Sequence, residues 1–176
     1  MLIPNWISVF RIITSIIGFI ALLSGLWQAG TLLLVLSVLL DIVDGKVARR
    51  IGQTSKYGVY LDIMGDKIMI IGTYFILGLM LHIHLFYIAI AILVREYTMD
   101  SLRSMAAANG AVIPADRFSK LKGMLLMGSF VALLVNQSWI QSAQLQTTFI
   151  LTAGIGVAFA YLGLLRFFLL HRSVLA

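Results

Sequence analysis

The sequence predicts an all-α integral membrane protein with six transmembrane helices, a short N-terminal interfacial segment and a polar cavity facing the cytoplasm. Three observations predict it. Of 176 residues, 61% are hydrophobic and only 11% charged, with a mean hydropathy of +1.02, whereas soluble domains carry about 25% charged residues. Apolar runs near the ~20 residues that a bilayer requires recur six times, at roughly 7 to 26, 31 to 50, 58 to 81, 85 to 108, 120 to 137 and 147 to 170. Finally, with six spans, every Lys and Arg falls on one side of the membrane. By the positive-inside rule that side is cytoplasmic, and both termini lie there.

Taken in order, the opening MLIPNWISVFRIITSIIGFIALLSG lacks a basic segment before its apolar run, carries Arg11 inside it and shows no A-x-A site. It reads as a retained first span rather than a cleaved signal. Pro4 suits a helix start and Trp6 a membrane interface, so Ile3 to Arg11 is expected to be an interfacial lead-in. Gly25 to Gly30 forms the first turn. It has no Lys or Arg, and neither does the third connection around His82 and His84 or the fifth from Asn136 to Thr147. Lys46, Arg49, Arg50 and Lys56 flank the second connection, Arg103, Arg117, Lys120 and Lys122 the fourth, and Arg166 and Arg172 lie near the C-terminus. The fourth connection, NGAVIPADRFSK, contains the breakers Gly110 and Pro114, with Asp116 a candidate cap for the fifth helix. No repeat or low-complexity tract divides the chain, so 1–176 is expected to form one membrane domain.

Composition also excludes several functions. Without cysteine there is neither a disulfide framework nor a thiolate metal site. The basic residues are scattered among apolar runs rather than forming a solvated patch, which argues against nucleic acid as a partner. His82 and His84 read as surface residues of an outer loop, with no carboxylate on that side to complete a site.

The chemistry is concentrated between Asp41 and Asp66, DIVDGKVARRIGQTSKYGVYLDIMGD. Asp41 and Asp44 stand at i, i+3, and Asp62 and Asp66 at i, i+4, so each pair projects from one face of its helix, and a hairpin can bring all four together. Such a cluster cannot remain fully ionised without a counter-charge, and divalent cations are the natural candidates. The spacing D-x2-D-G-x2-A-R-x8-G-x3-D-x3-D specifies eight positions, a coincidence of about 10^-10 per start site at ordinary residue frequencies.

That pattern resembles the signature of the CDP-alcohol phosphotransferases, membrane enzymes that move a phosphatidyl group from CDP-diacylglycerol to an alcohol and release CMP. All eight positions match, and the family's six-span fold agrees with the layout above. The resemblance implies metal ligation by Asp41, Asp44, Asp62 and Asp66, with one or two Mg2+ (or Mn2+) ions, most simply two, neutralising a diphosphate. It implies that Asp66 is the general base, and that Gly45, Arg49 and Ser55 contact the nucleotide. The segment IPNWISVFR is similar to the family's N-terminal stretch, which places Asn5 and Ser8 near CDP-diacylglycerol. A homodimer and a bacterial inner membrane location are further expectations.

A second likeness narrows the acceptor. VREYTMDSLRSMAAANG followed by DRFSKLKG is similar to the fourth and fifth helix region of phosphatidylglycerophosphate synthases, which implies that Arg95, Arg103, Lys120 and Lys122 gather around the phosphate of glycerol 3-phosphate. Glu96 would orient Arg95 or bind a glycerol hydroxyl. One departure is that many such enzymes have Pro and Ala where this chain has Ile63 and Gly65. Serine, inositol phosphate or phosphatidylglycerol are alternative acceptors. A cation or proton transporter built on the aspartates is the competing class, but it would need polar residues continuing into the outer halves of the spans, which are almost wholly apolar. The simplest reading of the aspartates without function is interfacial charges paired with Lys46, Arg49, Arg50 and Lys67, and that of the basic residues on helices four and five is topology or lipid headgroups.

Overall fold

The computed structural model describes the backbone of residues 3–51, 56–110 and 117–175, and the side chains there except at 3–5, 44–51, 56, 57, 59, 117–119 and 172–175. Six α-helices follow one another, α1 (Ile3–Leu23), α2 (Trp27–Ile51), α3 (Lys56–Met80), α4 (Ile83–Ala108), α5 (Arg117–Val135) and α6 (Ala143–Leu175), with a single π turn at Asn136–Ile140. No strand occurs among the described residues. A helix satisfies its backbone groups within one segment, which a hydrocarbon environment demands.

The chain is an all-α membrane protein. Trp6–Leu23, Tyr60–Met80, Lys120–Ile140 and Ala143–His171 are long and apolar enough to cross a bilayer by length and composition. The apolar part of α2, Trp27–Val43, is shorter, because Asp41 and the basic residues after it occupy the helix end, and α4 carries Arg95, Glu96, Asp100 and Arg103. With 25 and 26 residues, these two helices still measure about 38 Å, more than the ~30 Å hydrocarbon core.

Around the bundle the neighbours run α2, α1, α3, α4, α6, α5 and back to α2, with α3 also touching α5. Leu22, Leu34, Met69, Leu126 and Phe130 fill the centre. Tyr74 brings its hydroxyl to the Leu126 carbonyl at 2.9 Å and to Ser129 Oγ at 2.6 Å, so its polar tip is satisfied on α5. Ile13, Ile16, Ile20, Leu151, Leu165 and Phe168 are exposed, as an outer face solvated by lipid requires.

The N-terminal lead-in is helical and continuous with the first span, α1 running unbroken from Ile3 with Pro4 tolerated in the first turn, where no intrahelical donor is lost. One detail differs from the sequence-based expectations. The fifth connection is much shorter than Asn136 to Thr147, with α6 starting at Ala143. Asn136, only 2% exposed, explains this. Its Nδ2 donates to the Ser142 carbonyl and its Oδ1 accepts from the Ser142 N–H, both at 3.1 Å, closing the turn from inside. The first turn follows the composition more directly. Gly25 adopts φ 78°, and its N–H and that of Leu26 return to Leu22 and Ala21 in a Schellman arrangement.

These connections put the N-terminal part of α1, the C-terminal parts of α2 and α4 and the N-terminal parts of α3 and α5 at the same end. All ion pairs among the described residues lie there.

Candidate active site

The α1–α2 and α1–α3 contacts bring Asp41, Asp62 and Asp66 together, with one oxygen from each lying within 4.8 Å of the others. Asp62 and Asp66 are one helical turn apart on α3, and Asp41 faces them from α2. Between them lies Arg11 of α1, 1% exposed. Its guanidinium is paired with Asp41, reaches Asp62 Oδ1 at 3.0 Å and Asp66 Oδ1 at 3.2 Å, and donates to the Asp62 carbonyl at 2.9 Å. A cation at that depth persists only when paired.

Arg11 is itself held from behind. Ser15 Oγ donates to its carbonyl at 3.0 Å and Ser37 Oγ at 3.2 Å, and the two hydroxyls meet at 2.7 Å. On the other side, a Cβ added at Gly65 would sit 2.6 Å from Arg11 Nη2. The departure noted at position 65 therefore has a physical reason, since the guanidinium occupies the space an alanine methyl would fill. Ser8, buried at 4%, stands three residues before Arg11 on the same face of α1.

The donor set suits a hard divalent cation. Three carboxylates converge, no thiolate exists in the chain, and oxygen ligands of this kind favour Mg2+, Mn2+ or Ca2+ over softer ions. The 22%, 50% and 41% exposure of the Asp41, Asp62 and Asp66 side chains leaves the cluster open to solvent.

A second cluster has the opposite composition. Glu96 on α4 accepts from Arg95 Nη1 at 2.7 Å and pairs with Lys122 of α5 through the same Oε1. Arg95 is 2% exposed and its Nε donates to the Ala160 carbonyl at 3.1 Å, tying α4 to α6. Its Nη2 finds no hydrogen-bond partner among the described residues, and neither does Nε of the half-buried Arg103. Lys120 is exposed. Of the four basic residues expected together, Arg95 and Lys122 meet through Glu96, while Arg103 lies two turns further along α4. Lys67 pairs with Asp100.

A cavity of about 210 Å³ joins the two clusters, with Asp66, Lys67, Glu96 and Lys122 in its polar wall and Ile63 and Ile70 in its apolar one. It is smaller than the ~300–1,000 Å³ of drug-sized pockets.

Asp44, Gly45 and Arg49 belong to the end of α2 and Asn5 to the first turn of α1, but their side chains lie outside the described residues, as does Ser55 altogether. Arg11 is the residue that reading the sequence missed. It stood out only as a charge inside an apolar run, and served there to reject a signal peptide. A cation in a span with no acidic residue in its own helix demands a partner from another helix, and that signal would have found it.

Comparison with known proteins shows the family. The family model described as CDP-alcohol phosphatidyltransferase matches residues 1–171. A protein of Wigglesworthia glossinidia brevipalpis is 29% identical, with 94% of this chain and 92% of the relative aligned. One from Yersinia pestis (strain Pestoides F) is 32% identical over 75% of this chain and 76% of its own length. One from Bacillus subtilis (strain 168) is 29% identical over 61% of this chain and 55% of its own length. Each of the three is named a CDP-diacylglycerol–glycerol-3-phosphate 3-phosphatidyltransferase.

Proposed function

The chain belongs to the CDP-alcohol phosphatidyltransferase family, and on that premise we propose that it transfers a phosphatidyl group from CDP-diacylglycerol to glycerol 3-phosphate, giving phosphatidylglycerophosphate and CMP. The observation that carries this reading is the shared cavity, where Asp66 of the carboxylate cluster and the Glu96–Lys122 pair of the basic cluster line one space.

In this mechanism Asp66 takes the proton of an acceptor hydroxyl as general base. The acceptor oxygen bonds to the phosphorus that carries diacylglycerol, the bond from that phosphorus to the bridging oxygen breaks, and CMP leaves with the electron pair. Asn5, Ser8, Gly45, Arg49 and Ser55 hold the CDP-diacylglycerol head. Arg95 and Lys122, fixed by Glu96, attract the acceptor phosphate, with Arg103 and Lys120 adding positive charge along the approach. Asp41, Asp44, Asp62 and Asp66 would hold the divalent metal, Mg2+ or Mn2+ and in our reading two ions, which when bound neutralises the diphosphate.

The charged end of the bundle faces the cytoplasm in this reading, since all 13 Lys and Arg belong to that side, and the host membrane is a bacterial inner membrane. One membrane domain comprises the whole chain. Two copies associate through lipid-facing surfaces, which crosslinking in native membranes would detect as a dimer.

The direct test is CMP release by purified protein with CDP-diacylglycerol and Mg2+, offering glycerol 3-phosphate, serine, inositol phosphate and phosphatidylglycerol separately. Release with glycerol 3-phosphate is expected. Release with serine alone would refute the role given to Arg95 and Lys122. No release with any acceptor, in Mg2+ or Mn2+, would sink the enzyme reading.

A further inference from the structure

We infer that Arg11 is a built-in counter-ion that a divalent cation must displace from the aspartates, and that Gly65 is the residue that admits it. This rests on the reading that Asp41, Asp62 and Asp66 bind metal. Three observations support it. The three aspartates that each bring an oxygen close enough to share a cation are the three whose Oδ1 the guanidinium contacts. A small hard cation draws oxygen ligands to about 2.0–2.6 Å, so it and the guanidinium compete for one position. Arg11 is also 1% exposed, so its guanidinium has no solvent in which to leave its charge, while the aspartates, 22–50% exposed, remain reachable by an ion from solution.

The fold provides for the exchange. One contact of Arg11 does not use a carboxylate, the hydrogen bond from Nη2 to the Asp62 carbonyl at 2.9 Å. The Ser15 and Ser37 hydroxyls hold its backbone carbonyl independently of the side chain. The guanidinium can therefore give up the Oδ1 atoms and stay tethered beside the site. Gly65 sets how deeply it enters, because a Cβ there would stand 2.6 Å from Nη2. Without metal, Arg11 keeps three neighbouring carboxylates from repelling one another. With metal, it has done that work and moves aside. It is a positioning residue, acting on the reaction through the aspartates.

The test is Mn2+ affinity of the full-length protein in detergent, read by the loss of free-ion electron paramagnetic resonance signal, together with apparent Tm in chelator and in saturating Mn2+. Arg11→Met should bind Mn2+ at least tenfold more tightly than wild type and melt lower in chelator, with most of that loss recovered by Mn2+. Gly65→Ala, which crowds the guanidinium out without removing it, should change affinity in the same direction by a smaller factor, and it decides the matter if Arg11→Met does not fold. Equal or weaker Mn2+ binding by the variants, or a Tm loss that is the same with and without Mn2+, would overturn the role given to Arg11 while leaving the metal site standing. If wild-type protein binds no Mn2+ and Asp62→Asn changes nothing, the metal reading itself fails, and the inference with it.

Discussion

The two charged clusters of this protein are built as near opposites. In one, three carboxylates from α2 and α3 surround a single guanidinium. In the other, the buried Arg95 of α4 and the partly buried Lys122 of α5 share a single carboxylate. Asp66 of the first and Glu96 and Lys122 of the second line a common cavity. In our proposal the difference assigns partners, the carboxylate-rich cluster to divalent cations and the cation-rich one to a phosphate. The far end of the bundle shows what polar groups look like where no partner is expected. There Thr31 and Ser138 bond at 2.7 Å, Ser138 donates to the Trp27 carbonyl at 3.2 Å, and Asn136 closes its turn, with no charge involved.

Substitutions can break this contrast, and the largest effect is expected at the carboxylates. Asp66→Asn should lower CMP release by about a thousandfold or more, the scale of a positioned general base, while circular dichroism and size-exclusion elution stay those of wild type. Activity near wild type would remove Asp66 from its role. Next, Glu96→Gln takes away the carboxylate that Arg95 and Lys122 share. Apparent stability should fall by about 3 kcal/mol, the low end for breaking a buried pair, measured by thermal melting in detergent. No loss would mean that the two cations are not held by Glu96.

Smaller and more specific, Lys122→Met should raise the acceptor KM about tenfold, since a charge-assisted phosphate contact contributes roughly 1.5–3 kcal/mol, with a lesser change in kcat. Lys120→Ala, at an exposed position, should shift KM by about threefold at most. Equal effects at 120 and 122 would point to general positive potential rather than a built phosphate site. At the far end, Asn136→Ala should cost about 1–2 kcal/mol of stability by leaving Ser142 backbone groups unpaired, with kcat per folded enzyme unchanged. Lost turnover there would show that the two ends are coupled.

The extent to which sequence anticipates structure follows the range of the interactions. The spans and the Asp62–Asp66 pair are local, since hydropathy runs mark the helices and an i, i+4 spacing marks a face, so both are legible. The pairing of Arg11 with α2 and α3 is not local. Its partners lie about 30 and 50 residues away, and only the expense of an isolated charge in a span hints at them. Gly65 could be noticed as a departure but not explained until the guanidinium stood against it. Sequence offers Arg95 an acceptor or a topological role, yet its Nε also binds the Ala160 carbonyl of α6, a contact that no motif encodes. The short turn after α5 depends on one buried amide, which reads in sequence as an ordinary polar residue.

The most direct test follows label from glycerol 3-phosphate into lipid. Purified protein is given CDP-diacylglycerol and radiolabelled glycerol 3-phosphate, as wild type and as Asp66→Asn, each in Mg2+ and in excess chelator. Labelled phosphatidylglycerophosphate should form only in the wild-type sample with Mg2+. Lipid labelling at the wild-type rate in Asp66→Asn, or undiminished labelling in chelator, would contradict a reaction carried out where the two clusters meet.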